Sequence, residues 1–231
     1  MDNHRIHYTL RFPDGGSLEF PLEFTRADFT LVVAQGRLPD WTLLGRHQCE
    51  HCPLDSATSP RCPLAVAILN VVEATDQLVS HDRAEVEVVF ETRTLSATVP
   101  AADALRSLMG LIIPTSGCPH TAFFRPMARF HLPFSDQDET LYRVTSMYAL
   151  TQRIRGARDL EMDPGYDGLA EIYANINLVN MYVVERLQEA ADKDSTRNAV
   201  TLLDVFAQLL PMQLDDPLDE QLPYFDAFTK A

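Results

Sequence analysis

The apolar residues of this chain follow two different periods, and the change between them constrains the fold more than any other feature. Near the start, apolar side chains alternate with polar ones over residues 6–12 and again over 18–24, on either side of a Pro-Asp-Gly-Gly turn. This period of two is typical of a β-hairpin with one apolar face. Pro21 lacks the N–H group that a central strand donates, which predicts an edge position for the second strand.

Helical spacing replaces the alternation in the second half of the chain. A second hairpin is predicted at 86–90 and 94–99, after a helix over about 63–79. Beyond the hairpin the apolar residues recur every three or four positions. One helix is predicted from Pro100 to Pro114, and another over 119–130 with a bend or break at Pro126. A third begins at a capping box formed by Asp136 and Glu139. Two more are predicted over 169–190 and from Ser195 onwards.

This order of elements predicts an α+β fold, with N-terminal antiparallel β-hairpins and one helix, and a C-terminal helical, bundle-like half. We expect a β-rich half over 1–100, which includes a cysteine-containing loop at 45–63, and a helical half over 101–231. The chain of 231 residues is long enough to bury a stable core without disulfide bonds or metal ions. We expect the two halves to form one compact unit that shares a metal site.

The charge of the chain excludes several classes of partner. Thirty-three acidic residues against 19 basic ones give a net charge of −14, which repels nucleic-acid phosphates and anionic lipids. The sequence has only nine glycines and no phosphate-binding loop, nucleophile elbow or His-Glu-x-x-His motif. No leader and no apolar run of about 20 residues is visible. We expect a cytoplasmic protein whose partner is another protein or a small anionic ligand.

Four cysteines are the strongest chemical signal in the sequence. Cys49 and Cys52 form a C-x2-C pair, Cys62 follows in the same loop, and Cys118 comes from the helical half. Four thiolates at a tetrahedral centre suit zinc, or alternatively an iron–sulfur cluster. Cys62 and Cys118 each precede a proline that is predicted to begin a helix, and this position lowers a thiol pKa and favours metal binding. The sequence therefore predicts a metal site formed by all four cysteines.

Other interpretations of the cysteines remain open. Cys49 and Cys52 also fit a redox dithiol, and four unrelated buried cysteines would explain the pattern without a metal. His47, His51 and His120 lie beside cysteines, and zinc accepts imidazole as readily as thiolate. A loop histidine more often contacts solvent or a ligand residue than the metal itself.

Residues 104–135 contain no Asp or Glu, although the chain as a whole is strongly acidic. This segment carries His120, Arg125, Arg129 and His131, which we take as candidates for binding a cofactor or ligand. Arg125 and Arg129 are four residues apart and share a helix face, so together they would suit a phosphate or carboxylate. The more ordinary alternative is that the arginines pair with carboxylates elsewhere in the fold.

Asn180 falls near the apolar stripe of the helix that is predicted over 169–190. Asparagine is unfavourable inside a helix, so its presence there calls for a reason. Three roles are compatible with the position. The side chain satisfies a buried backbone group, fixes the register of the helix, or lines a ligand cavity.

Four segments together resemble a known family. They are CxxCPL at 49–54, CPLA at 62–65, TSGCPHTAFFRPMARFHLPF at 115–134 and YRxTSMY at 142–148. Over essentially its whole length the chain is similar to a family of uncharacterised bacterial proteins, a domain of unknown function. The resemblance implies a bacterial, stand-alone protein. It implies no activity, cofactor or fold.

Taken together, these features predict a cytoplasmic metal-binding protein whose four-cysteine centre has a regulatory, redox or binding role. One alternative is an enzyme that acts on a small anionic substrate at Cys118, His120, Arg125 and Arg129. A second alternative is a structural zinc protein that mediates a protein–protein contact. No catalytic residue is predicted, because the ligand-type residues are not accompanied by any recognisable catalytic set.

Overall fold

The computed structural model describes residues 3–33, 36–75, 83–190 and 222–229. Its N-terminal part is a four-stranded antiparallel sheet in the order β2-β1-β3-β4, which confirms both predicted hairpins. The strands are β1 (His4–Arg11), β2 (Ser17–Phe24), β3 (Arg83–Val89) and β4 (Thr94–Pro100). β2 lies at an edge of the sheet, as Pro21 predicts. At an edge, the N–H group that proline lacks is not needed for a hydrogen bond to a neighbouring strand.

One face of the sheet is apolar because side chains of period two share a face. Tyr8 and Leu10 of β1 are fully buried, and they stand opposite Val88 and Val86 of β3. The turn between β1 and β2 uses Gly15 at φ +91°, a conformation that costs glycine little. The local sequence therefore determines both the hairpin and the face that it buries.

Six α-helices complete the described fold, and the α+β class is confirmed. They are α1 (Pro63–Thr75), α2 (Ala101–Thr115), α3 (Arg125–Arg129), α4 (Gln137–Gly156), α5 (Asp167–Ala190) and α6 (Asp226–Thr229). Helix α1 begins at the predicted proline, and the rest of the 63–79 prediction, from residue 76, lies outside the described residues. The helix predicted from Ser195 also lies outside them. None of the helices in the described ranges is both long and apolar enough to cross a membrane.

The predicted helix over 119–130 is interrupted. A short 3-10 helix, Ala122–Phe124, precedes α3, and Pro126 lies in the first turn of α3. Proline is tolerated there because the first N–H groups of a helix have no partner within it. No helix begins at Pro119, so the expected position of Cys118 at a helix N-terminus is wrong.

Two clusters of buried side chains hold the described elements together. The larger one joins the sheet to the helices and includes Tyr8 of β1, Ile68 of α1, Leu105 of α2 and Val179 of α5. The smaller one lies between α4 and α5 and contains Leu141, Val144, Tyr148, Leu169 and Tyr173. Burial of these apolar surfaces is the main source of stability in a fold of this kind.

Candidate functional site

The predicted four-cysteine metal site is wrong. Among the described residues, which include all four cysteines, no group of three or more His, Cys, Asp or Glu side chains could hold a metal ion. Cys49, Cys62 and Cys118 instead pack, half-buried, against the larger apolar cluster. Sequence spacing does not set side-chain directions, and these thiols pack as small apolar groups. The structural zinc alternative is wrong for the same reason.

Burial also opposes the lowered thiol pKa that the sequence predicts for Cys118, and it acts on Cys49 in the same direction. It raises the pKa of Cys49 to about 12, and repulsion from Cys62, Cys118 and Cys52 adds to this effect. The pKa of Cys118 is also raised, because burial outweighs the hydrogen bonds from the backbone N–H groups of His120 and Thr121. Cys49 and Cys118 are therefore protonated thiols near neutral pH.

The four residues that were predicted to bind a ligand lie in three separate places. His120 stacks on His51, with ring centroids 3.9 Å apart, and its Nε2 lies 3.0 Å from the carbonyl oxygen of His51. Arg125 forms an ion pair with Asp28, with an N–O distance of 3.5 Å. Arg129 lies 5.4 Å from the ring centroid of Phe29. Both arginines thus face the loop after β2, whereas His120 contacts His51.

His131, the fourth candidate, is buried beneath the sheet, with 6% of its surface exposed. Its Nε2 is hydrogen-bonded to the hydroxyl of Tyr8, and that hydroxyl lies 3.0 Å from Oγ of Ser107. Burial lowers the pKa of His131 to about 3, and the positive charges of Arg143 and Arg93 contribute to the shift. The imidazole is therefore neutral at physiological pH.

His131 and Ser107 both line a pocket of about 370 Å³ that is formed by α2, the segment 121–137, α4 and α5. This volume suits a small organic molecule, and the lining of such sites is usually apolar with a few polar groups. The apolar lining here consists of Ile113, Pro114, Phe124, Met127, Leu132, Phe134, Tyr173 and Ile176.

Helical periodicity explains why these residues meet at the pocket. On α5, Tyr173, Ile176 and Asn180 are three and four residues apart and therefore share a face. On α4, Thr140 and Arg143 are three apart and lie in the first two turns. The start of α4 is set by the predicted capping box, which the structure confirms: Asp136 accepts from the N–H of Glu139, and Glu139 accepts from the N–H of Asp136.

Several polar residues line the pocket where the loop before α4 meets the first half of α2, which we call its polar end. The N–H of Phe134 donates to Oγ of Ser107 over 3.3 Å, which places the loop before α4 against the first half of α2. Asp103 and Arg106 also lie on that half of α2. Phe134 adopts φ +62°, in the left-handed region that favours glycine. Backbone strain of this kind is often found at functional sites.

Asn180 is the most informative residue of the pocket. It is 3% exposed, and its amide nitrogen Nδ2 has no hydrogen-bond partner in the part of the chain that the structure describes. A buried donor without an acceptor costs about 1–3 kcal/mol, so native proteins rarely retain one without a reason. Of the three roles compatible with the sequence, lining a pocket is the one seen here.

Sequence reasoning missed three residues of this site, namely Tyr8, Ser107 and Arg143. Ser107 belongs to no recognisable motif, and Tyr8 reads simply as an inward residue of a strand. Arg143 lies in the YRxTSMY segment, for which the sequence indicates no role. The one available signal was Asn180, because a polar residue in an apolar helical stripe predicts an unusual environment.

The fold and the site define an α+β protein whose helices, packed on a four-stranded sheet, enclose a pocket of small-molecule size. The chain belongs to the family described as Domain of unknown function (DUF6901), whose model matches residues 6–226. The resemblance to a family of unknown function is thereby confirmed. Comparisons with curated proteins and with solved structures found no match.

Proposed function

We propose that this protein binds a small, largely apolar molecule in the pocket between α2, α4 and α5. Asn180 donates a hydrogen bond to an acceptor on that molecule. The observation that carries the proposal is the unpartnered amide nitrogen of Asn180 in the wall of a predominantly apolar pocket.

The energetics of the empty pocket support this proposal. An amide that served only to fix the position of α5 would be expected to bond a neighbouring backbone or side-chain group. Nδ2 of Asn180 has no such partner among the described groups, so in the unliganded protein it contributes a penalty. An acceptor on a bound molecule removes this penalty, and contact of its apolar part with the pocket walls adds to the affinity.

The proposal is tested with nonan-2-one, a neutral molecule that has an apolar chain and one carbonyl acceptor. Asn180→Leu retains the approximate size of the side chain and removes the donor. We expect it to raise the dissociation constant for nonan-2-one about three- to tenfold, the value of one hydrogen bond. Isothermal titration calorimetry measures the constant.

Asn177→Leu is the matched control, because Asn177 lies one turn earlier on α5, also has a buried side-chain atom without a partner, and does not line the pocket. Its affinity for nonan-2-one should equal that of the wild type. Unliganded Asn180→Leu should be at least as stable as the wild type, since an unsatisfied amide is replaced by an apolar group. Failure of the wild type to bind nonan-2-one, or equal effects of the two substitutions, would overturn the proposal.

A further inference from the structure

The polar end of the pocket contains an arginine that no described carboxylate neutralises. The guanidinium of Arg143 is half-buried in the pocket wall, and its Nη2 donates to the carbonyl oxygens of Met127 and Phe130 over 2.9 and 3.0 Å. Across residues 3–33, 36–75, 83–190 and 222–229, no Asp or Glu oxygen lies within the 4.0 Å of an ion pair with Arg143.

The acidic groups near Arg143 are already engaged. Asp103 lies 3.7 Å from Arg106, the other arginine of the pocket. Asp136 is the N-cap of α4, where the helix dipole offsets its charge. Glu139 attracts Arg143 electrostatically, but its carboxylate accepts a hydrogen bond from the N–H of Asp136. The guanidinium of Arg143 is therefore left without a carboxylate in direct contact among the described residues.

The charge of Arg143 also affects the pKa of a second residue of the pocket, His131. Burial lowers the pKa of Arg143, and the negative charge of Glu139 opposes this shift. After burial, Arg143 is the next largest cause of the low pKa of His131, which lines the same pocket. A negative charge placed between these two residues would relieve both effects.

We infer that the molecule bound in this pocket carries a carboxylate, which Arg143 holds at the polar end, while Asn180 bonds a second acceptor at the apolar end. This inference rests on the proposed function. The one guanidinium of the pocket wall that has no carboxylate within ion-pair distance matches a single carboxylate. A phosphate dianion fits less well, because Asp103 and Asp136 line the same end of the pocket. The ligand class is thus a small apolar monocarboxylic acid with a second hydrogen-bond acceptor.

The inference is tested by comparing nonanoate with nonan-1-ol, which have equal chains and differ in charge, at pH 7.5. We expect the wild type to bind nonanoate about tenfold more tightly or better, because charge-assisted hydrogen bonds are stronger than neutral ones. Arg143→Met should abolish this preference, and Arg143→Lys should retain part of it. Arg125→Met is the matched control, because it removes the same charge from a residue outside the pocket.

A third probe, 8-oxononanoate, carries both polar groups. It should bind more tightly than nonanoate in the wild type, and Asn180→Leu should remove this gain. If Arg143→Met does not fold, the wild-type preference and that of Arg143→Lys decide the question. One outcome would overturn the inference of a carboxylate and leave the proposed function intact. In that outcome nonan-2-one binds in a manner that depends on Asn180, but nonanoate binds no more tightly than nonan-1-ol. If no probe binds, both proposals are overturned.

Discussion

Burial determines the chemistry of His131 more than its neighbours in sequence do. The residue was selected as a ligand-binding candidate because it lies in a segment without acidic residues, and the structure places it under the sheet beside Tyr8. A buried imidazole loses the solvation of its charged form, so the neutral form is favoured. His131 therefore acts as an uncharged hydrogen-bonding group in the pocket wall.

This environment predicts a pH dependence of stability. The pKa of His131 is about 3 in the folded protein, against about 6.5 for an ordinary histidine. Because the folded value is the lower one, the contribution of neutral His131 is present above pH 6.5 and is lost as the pH falls from 6.5 towards 3. Between pH 7.5 and 5.0 we expect the wild type to lose about 2 kcal/mol more stability than His131→Gln. Urea unfolding at the two pH values measures this, and equal losses would contradict it.

Arg186 shows how a single side chain positions a segment far away in the chain, here the short 3-10 helix Asp40–Thr42 and the residues that follow it. It is 2% exposed, and its guanidinium donates to the carbonyl oxygens of Trp41, Leu43 and Leu44 over 2.7–3.0 Å. Five fixed N–H donors suit such a cluster of carbonyls. The residue attaches the segment before the cysteine loop to α5. In the sequence it stands beside the apolar stripe of α5 and resembles an ordinary surface charge.

At the scale of elements, the capping box at the start of α4 links local sequence to the pocket. It sets the first residue of α4 and hence the positions of Thr140 and Arg143 on the pocket wall. Without the cap, the first N–H groups of the helix would depend on solvent alone.

We predict that Asp136→Ala lowers the free energy of unfolding by about 1 kcal/mol, because it removes the acceptor for the N–H of Glu139. Asp138→Ala is the control, since Asp138 is an exposed acidic residue of the same turn that is not part of the capping box. It should cost only a few tenths of that amount, about 0.3 kcal/mol, from the helix dipole. Urea unfolding provides both values, and similar losses for the two variants would show that the cap is unimportant.

At the scale of the whole molecule, the larger apolar cluster ties the sheet to the helices. It contains buried residues of β1, β3, α1, α2 and α5. Leu105 of α2 is fully buried within it. Removal of a side chain at such a position affects every element that packs against it.

We predict that the protein unfolds in one transition and that Leu105→Ala lowers its stability by about 2–5 kcal/mol. Far-UV circular dichroism reports the helices, and the fluorescence of Trp41, the only tryptophan, reports the packing around α5. The two midpoints should coincide and shift together. Leu150→Ala, at a position that is 60% exposed, should leave them unchanged. Separate transitions would show that the two halves unfold independently.

The elements with local signals could be predicted from the sequence alone. Both hairpins, the edge position of β2, the start of α1 at Pro63 and the cap of α4 follow from alternation, proline chemistry and capping, which act over a few residues. Asn180 was also recognisable, because a polar residue in an apolar stripe is a local irregularity. These features do not depend on which distant segments pack together.

The contacts between side chains from distant segments are visible only in the folded chain. Arg125 reaches Asp28, nearly a hundred positions earlier, and the half-buried thiols pack against apolar neighbours without forming a metal centre. Asn180 and Arg143 share a pocket because α2, α4 and α5 each contribute residues to its wall. Such meetings depend on packing, burial and side-chain direction between elements far apart in the chain. The spacing of residues within one segment carries no record of them, because it reflects only local backbone geometry.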